Sequence, residues 1–460
     1  MKIKLTSIYF FITLSIFSQN QTDKDFYFSA NVNPNFQENV YCFNQQSNNK
    51  IIVGSTTTAN YSTDNSKYIR RINFDGTPDN TFNPPLLIGS TNRIIVQSDD
   101  KLILGTSHLY GVGGNQKDII RLNIDGTIDQ QFQDNLGYIT GNFGGEGISI
   151  QGDNKILASG YCTSVENISI KGLLRLNSNG LRDTSFNLQG NGYAPSAPTK
   201  TLQLQNGKIL TLGRFSSYNN ISFNGLVRLN SDGSLDNSFN IGTGFLNSLV
   251  NDFGIQTDGK IIVAGGFTSF NGNTAKRYLV RLNIDGTIDN TFIPSNLLSN
   301  SIRKIIVLPD DKILVAGIFP KKLVKLNANG TTDTTFDVGT GFNNSIFGLY
   351  KQTDNQFLIG GAFTQYQTTT SNTLVRLLGN SVLSNENFEI KKNIIYPNPV
   401  NNILFIENNE NLEYKIYDIT GKFVLNGINN QINVSGLEKG VYFIKLIKEE
   451  KVLTQQFIKK

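Results

Sequence analysis

From residue 50 onward two short patterns alternate along the chain. The first is an apolar run that opens at Lys50, Lys101, Lys155, Lys208, Lys260, Lys312 and Gln356 and usually closes on glycine, as in KIIVAGG at 260–266. The second is a line that begins on a base and ends on phenylalanine: RINFDGTPDNTF at 71–82, RLNIDGTIDQQF at 121–132, and kindred lines at 175–186, 228–239, 281–292 and 325–336. A seventh copy starts at Arg376 and breaks off after 380. The repeat period is therefore about 50 residues, with the shortest interval from Arg281 to Lys325.

Each unit reads as two hairpins. In the clearest one, strand a ends at Gln256, Asp258 and Gly259 turn the chain, and strand b follows at 260–267; strand c spans 278–283, Asp285 and Gly286 turn again, and strand d runs over 287–292. Asp-Gly between apolar runs is a strong hairpin signal because glycine accepts the positive φ of the turn. Strand b is apolar on both faces, as in IIVA at 261–264 and ILVA at 313–316. A half-solvated strand would alternate, so both faces of b are expected to be buried between stacked sheets. Four strands at this period are the dimensions of a propeller blade. The expected fold is all-β: a seven-bladed β-propeller over residues 19–380.

The ends of the array bear on closure. The seventh unit lacks its last hairpin, while TDKDF at 22–26 matches the tail of the other units. Pairing of this N-terminal strand, with Asp23 and Phe26, onto the last blade would close the ring and remove exposed sheet edges.

A base in strand c and an aspartate in strand d recur in every unit: Arg71 with Asp79, Arg121 with Asp129, Arg175 with Asp183, Arg228 with Asp236, Arg281 with Asp289, Lys325 with Asp333, and Arg376 with Asp23. A three-residue turn with a bulge at glycine sets the two opposite each other, as a structural pair that fixes register. One arginine per blade points to seven separate places, which argues against a convergent anion site. A calcium loop is also disfavoured, since aligning Gly286 with the sixth loop position puts Arg281 and Phe292 where acids are needed. The sialidase Asp-box separates Asp from Gly by a residue, whereas here they adjoin.

These lines, QTDGKIIVAGGF at 256–267 with RLNIDGTIDNTF at 281–292, resemble the delta-60 repeat, a bacterial family assigned to β-propellers. The resemblance covers about residues 22–380 and implies a fold without an established chemistry.

Past residue 380 a polar linker, 381–393, leads into a different pattern over 394–460. Tyr396, Pro397, Asn398 and Pro399, then YDITGK with Asp418, Gly421 and Lys422, then GVYF with Gly440 and Tyr442, and finally Lys459 and Lys460 resemble the type A sorting domain of the type IX secretion system of Bacteroidetes. Physically the module reads as a small β-sandwich of short strands. The resemblance implies the type IX machinery and its sortase-like peptidase as partners, with translocation across the outer membrane, cleavage in or near the linker, and release or surface anchoring. The expected location is extracellular.

Composition and charge refine this picture. Residues 1–18 carry Lys2 and Lys4, an apolar core over 8–17 and a polar exit, the layout of a secretory signal peptide too short to span a bilayer. No other apolar run is long enough to cross, so no transmembrane segment is expected in the mature chain. A net charge of +5 over 460 residues gives no reason to expect nucleic acid as a partner. Cys42 and Cys162 fall in units that are not neighbours, so both are expected to be small buried apolar residues rather than a disulfide.

Two classes of function fit the ring: a non-catalytic binding or adhesion module for glycan or protein, and a glycan-active hydrolase or lyase. The single histidine, His108, is expected in a loop and cannot build a metal site with a second one. A glycosidase needs two free carboxylates facing one pocket, and the non-repeat candidates are Asp64, Asp118, Asp134, Asp252, Glu146 and Glu166. No catalytic residue, metal or cofactor is assigned. Specificity is expected where units differ, in the Tyr-, Asn-, Ser- and Gly-rich stretches 55–67, 135–145 and 191–200.

Overall fold

The computed structural model describes residues 38–57, 68–85, 88–110, 118–137, 139–140, 147–161, 163–165, 168–170, 172–186, 191–245, 249–352, 356–371, 373–378, 395–406, 413–419, 422–448 and 451–460. The chain forms two compact units, divided between Leu383 and Ser384. The signal-peptide segment, the closing strand expected around Asp23 and Phe26, the linker, Asp64, Glu146, Cys162, Glu166 and Gly421 lie outside the described residues.

The first unit holds seven antiparallel three-stranded sheets in the order a-b-c. In the fifth they are Val250–Ile255, Ile261–Gly265 and Leu279–Leu282. Strand b is buried along its whole length, and the reason lies in its neighbours. Ile261 and Val263 pack with Leu210 and Leu212 of the fourth sheet, whereas Ile262 and Ala264 pack with Ile313 and Val315 of the sixth. The same alternation links every consecutive pair of sheets, giving seven inter-sheet cores. One of them joins Ile51 and Val53 of the first sheet to Leu358 and Leu374 of the last, so the array is a closed ring. The a strands are innermost: the first touches the second, Gly147–Ile150 touches Pro198–Gln203, and Ile346–Lys351 returns to touch Glu38–Gln45.

The turns follow the sequence logic closely. Gly286 takes φ 91° in a turn where Asn283 N–H meets the Thr287 carbonyl at 2.8 Å, and its missing Cβ leaves room for the backbone of Asn240 from the preceding unit. In the a-b turns the same left-handed position is held by Asn49, Asp100, Asn154, Gly207, Gly259 and Asp311, all residue types that tolerate it.

Strand d departs from expectation. In the first six units it is reduced to one bridge each, such as Leu282 to Ile288, and a regular strand over 287–292 does not form. The cause is local competition: the Asp289 carboxylate accepts the N–H and hydroxyl of Thr291 at 2.9 and 2.7 Å, which bends the chain away from the ladder. In the second unit Gln131 lacks that hydroxyl, and Asp129 instead caps the helix Gln130–Asn135 through the Phe132 N–H.

The second unit packs a three-stranded sheet (Ile395–Tyr396, Ile403–Ile406, Gln431–Asn433) with a four-stranded one (Glu413–Asp418, Phe423–Gly427, Gly440–Lys448, Lys451–Lys459). Leu404 and Ile432 of the first sheet and Ile416, Ile444 and Phe457 of the second share one core.

Candidate functional site

The repeated charges come together as a triad within each of the first six blades. Arg228 Nε lies 2.6 Å from Asp236 Oδ2, and Lys208 Nζ lies 2.7 Å from the same oxygen. The corresponding base-to-acid distances are 2.6 Å for Arg71 and Asp79, 3.0 Å for Arg121 and Asp129, 2.7 Å for Arg175 and Asp183, 2.8 Å for Arg281 and Asp289, and 3.6 Å for Lys325 and Asp333. The lysine that opens strand b was not singled out as a partner in the sequence. Its recurrence at Lys50, Lys101, Lys155, Lys208, Lys260 and Lys312 was the available signal.

Each guanidinium also reaches outward. Arg175 stacks over Phe186 at 4.6 Å and donates to the Ser231 carbonyl in the next blade's turn at 2.5 Å. Arg228 does the same to Ile284, and Arg376 of the seventh blade to Phe74 of the first, over whose ring it lies at 4.4 Å. The triads are thus fasteners between blades as well as register pins. Burial alone would raise the Asp236 pKa, but hydrogen bonds from Lys208, Ser238 and Arg228 outweigh it and hold the carboxyl well below the usual range; Asp79, Asp183 and Asp289 behave alike.

Of the other candidate carboxylates, Asp118, Asp134 and Asp252 are described, and they lie on separate elements of two blades. Asp118 directly precedes strand c of the second blade, Asp134 accepts from Gln130 on the short helix, and Asp252 is on the innermost strand of the fifth blade. Asp252 is fully engaged: it accepts from Phe253 N at 2.9 Å and Ile305 N at 2.8 Å and pairs with Lys200. His108 falls within strand b of the second blade, Leu102–Tyr110, not in a loop, because that strand extends further than its counterparts. Cys42 is half-buried, and its thiol donates to the Thr91 carbonyl at 3.4 Å, so it is not the fully buried apolar residue expected. Among the described residues no three His, Cys, Asp or Glu side chains gather as a metal site would require. No helix among them is long and apolar enough to cross a membrane.

Two features remain, a cavity at one end of the innermost strands and a row of bulges at the other. At the end bearing the a-b turns, a cavity of about 780 Å³ is lined by Leu202, Ile255, Ile306, Leu308 and Lys351 with the carboxylates of Asp258 and Asp311 at its rim. Both acids serve the turns: Asp258 accepts from Lys260 N at 3.0 Å, and Asp311 accepts from Thr257 N at 2.7 Å.

At the opposite end six innermost strands bulge at the same height, between Val40 and Cys42, Thr91 and Arg93, Pro198 and Lys200, Val250 and Asp252, Ile302 and Lys304, and Ile346 and Gly348. That end also carries small accessory sheets. Tyr193–Ala194 pairs with Ser217–Tyr218, and Phe245 and Phe342 bridge to Phe270 and Tyr366. Much of the expected loop 191–200 is therefore strand. Aromatic trios fill these elements, with ring centroids 4.7 to 4.9 Å apart around Tyr193, Phe245 and Phe342. The lines RFSSY, GFTSF and AFTQY directly after strand b were the signal for them.

In the C-terminal unit, Asn398 ties its motif to the last strand, donating to Gln456 O at 2.9 Å and accepting from Ile458 N at 2.9 Å. Pro397, Pro399 and exposed Tyr396 flank it. Lys422 N donates to Asp418 at 3.0 Å, Tyr442 donates to Glu438 O at 3.0 Å, Gly440 pairs with Lys459, and Lys460 N donates to Val400 O at 2.9 Å.

Comparison with known proteins agrees with this anatomy. Residues 394–460 match the secretion system C-terminal sorting domain. Seven segments, 46–82, 97–132, 151–186, 204–239, 256–292, 308–336 and 352–383, match the domain of unknown function (DUF5122) beta-propeller and together cover more than half of the chain. No curated protein matches. Among solved structures, the extracellular domain of a putative one-component system from B. thetaiotaomicron is 13% identical with a TM-score of 0.44, covering 94% of this chain, which spans only 57% of that domain's length. Virginiamycin B lyase from Staphylococcus aureus is 12% identical with a TM-score of 0.44, covering 78% of this chain and 97% of its own. YCF48 from Cyanidioschyzon merolae is 11% identical with a TM-score of 0.37, covering 75% and 97%. Scores this low carry no argument about activity. The sorting domain places the protein under type IX secretion, bound for the cell surface or the extracellular space. With seven matched repeats forming seven blades, this chain belongs to the DUF5122 β-propeller family and carries a secretion-system sorting domain at its C-terminus.

Proposed function

We propose that the protein is an extracellular binding module without catalytic activity, whose ring presents the bulged end of its channel and the accessory sheets around it to a glycan or protein ligand. Residues 1–18 serve as the export signal, 381–393 as the linker in or near which the sortase-like peptidase cuts, and 394–460 as the address. The observation that carries this reading is the fate of the charges. Every described strand-d aspartate is tied to its own blade's bases, and Asp252, on an innermost strand, is held by Lys200 and two backbone N–H groups. A rigid ring with half-buried polar and aromatic residues at one mouth is suited to recognition, while general acid-base hydrolysis calls for two free carboxylates in one pocket.

A glycan-array and protein-pulldown screen with the full chain tests it. Saturable binding of a ligand that is recovered intact supports the reading. Turnover of a polysaccharide that disappears when Asp258 and Asp311 are both replaced by asparagine overturns it.

A further inference from the structure

The bulges give the channel mouth an unusual composition. A bulge directs an additional side chain out of the regular alternation. Here the inserted residues are Tyr41, Asn92, Thr199, Asn251, Arg303 and Phe347, all half-buried and none of them acidic. The next position along holds Arg93, Lys200, Asp252 and Lys304 in four of the blades. These four form one electrostatic cluster: burial pushes the Lys200 pKa down, Asp252 opposes that, and the charges of Arg93 and Lys304 push it down further.

Three cations thus stand against one carboxylate, and that carboxylate already accepts from Lys200, Phe253 N and Ile305 N. Arg303 adds a fourth cation at the mouth. Its guanidinium lies 5.4 Å from the ring centre of Phe347, which stacks on Tyr41 at 4.8 Å, and its Nε is buried with no hydrogen-bond partner. A buried donor left unsatisfied and an excess of like charge on the innermost strands both cost stability, and a bound anion offsets both.

We propose that this mouth binds an acidic glycan, with its carboxylate or sulfate groups held by Arg303, Arg93 and Lys304 and its sugar rings laid against the edges of the stacked Tyr41 and Phe347. The assignment rests on the binding-module reading and names the ligand class for it. An inorganic anion would need the cations alone. The stacked rings and the amide and hydroxyl groups of Asn92 and Thr199 suit an extended ligand that carries apolar ring faces and hydroxyls beside its charge.

Calorimetric titration of the full chain with tetragalacturonate, a heparin tetrasaccharide, neutral cellotetraose and sodium sulfate tests this. At least one acidic tetrasaccharide is expected to bind, more weakly as salt rises, with cellotetraose at least tenfold weaker. The two acidic probes separate carboxylate from sulfate as the recognised group. Arg93→Gln, Lys304→Gln and Phe347→Ala should each weaken binding by about tenfold while thermal unfolding confirms a folded protein. Failure of both acidic probes, when the array returns a neutral or protein ligand, overturns the glycan class and leaves the binding module standing. Binding unchanged in all three variants overturns the location, and sodium sulfate binding as tightly as the tetrasaccharides overturns the glycan in favour of a bare ion. Cleavage of a tetrasaccharide overturns the binding-module reading itself.

Discussion

Replacing Asp236 by alanine tests whether the triads hold the blades together. Asp236 and Arg228 are each 4% exposed at the side chain, and Asp236 also receives Lys208, Ser238 N at 3.1 Å and the Ser238 hydroxyl at 2.7 Å. Its removal leaves a buried guanidinium without its carboxylate, a loss of about 3–5 kcal/mol for a buried pair broken on one side. With an unfolding entropy of about 2.1 cal/mol/K per residue, a ring of about 360 residues has a slope near 0.75 kcal/mol/K, so the melting midpoint should fall by about 4–7 °C. Differential scanning calorimetry measures it. Asp236→Asn, which keeps acceptors for Ser238 but loses the charge, should fall in between. Arg228→Met combined with Asp236→Ala should recover part of the loss, because the stranded charge is then gone. A shift under about 1 °C for Asp236→Ala, or no recovery in the double variant, would refute the reasoning.

The same aspartates set the acid limit. Their folded pKa values lie below the unfolded value of about 3.9, so the stability they contribute is fully present above that value and is lost as pH falls through the folded ones; urea midpoints should hold from pH 7 to 5 and drop below about pH 4. Gly207→Asn should change stability by less than about 0.5 kcal/mol, since Asn49 and Asn154 already occupy that left-handed position, whereas Gly286→Ala should cost more than about 1 kcal/mol because its Cβ would fall 2.9 Å from the Asn240 carbonyl oxygen. Asn398→Ala removes two hydrogen bonds to the last strand and should destabilise the C-terminal unit by about 1–2 kcal/mol, lowering the secreted fraction measured in culture medium.

The blade was legible in the sequence because two of its causes are local. Asp-Gly and its Asn variants mark the turns, and IIVA marks a strand buried on both faces, as stacked sheets provide. Strand d was misjudged because Asp289 and Thr291 satisfy the backbone themselves, a competition that apolar periodicity does not register. The lysine of each triad went unnoticed since it meets its aspartate across 21 to 29 residues, from Lys312 to Asp333 and from Lys260 to Asp289. The channel mouth was hidden most deeply. Arg303, Phe347 and Tyr41 belong to three different units, and a bulge arises from the register of two strands rather than from either one alone.

Ring closure is the claim on which the rest stands, and Arg376 with Phe74, separated by 302 residues, reports on it directly. A double-mutant cycle on the full chain with Arg376→Gln and Phe74→Leu, read by urea unfolding, should give a coupling of about 1 kcal/mol. Strict additivity of the two substitutions would mean that the first and last blades do not meet, and would contradict the closed ring.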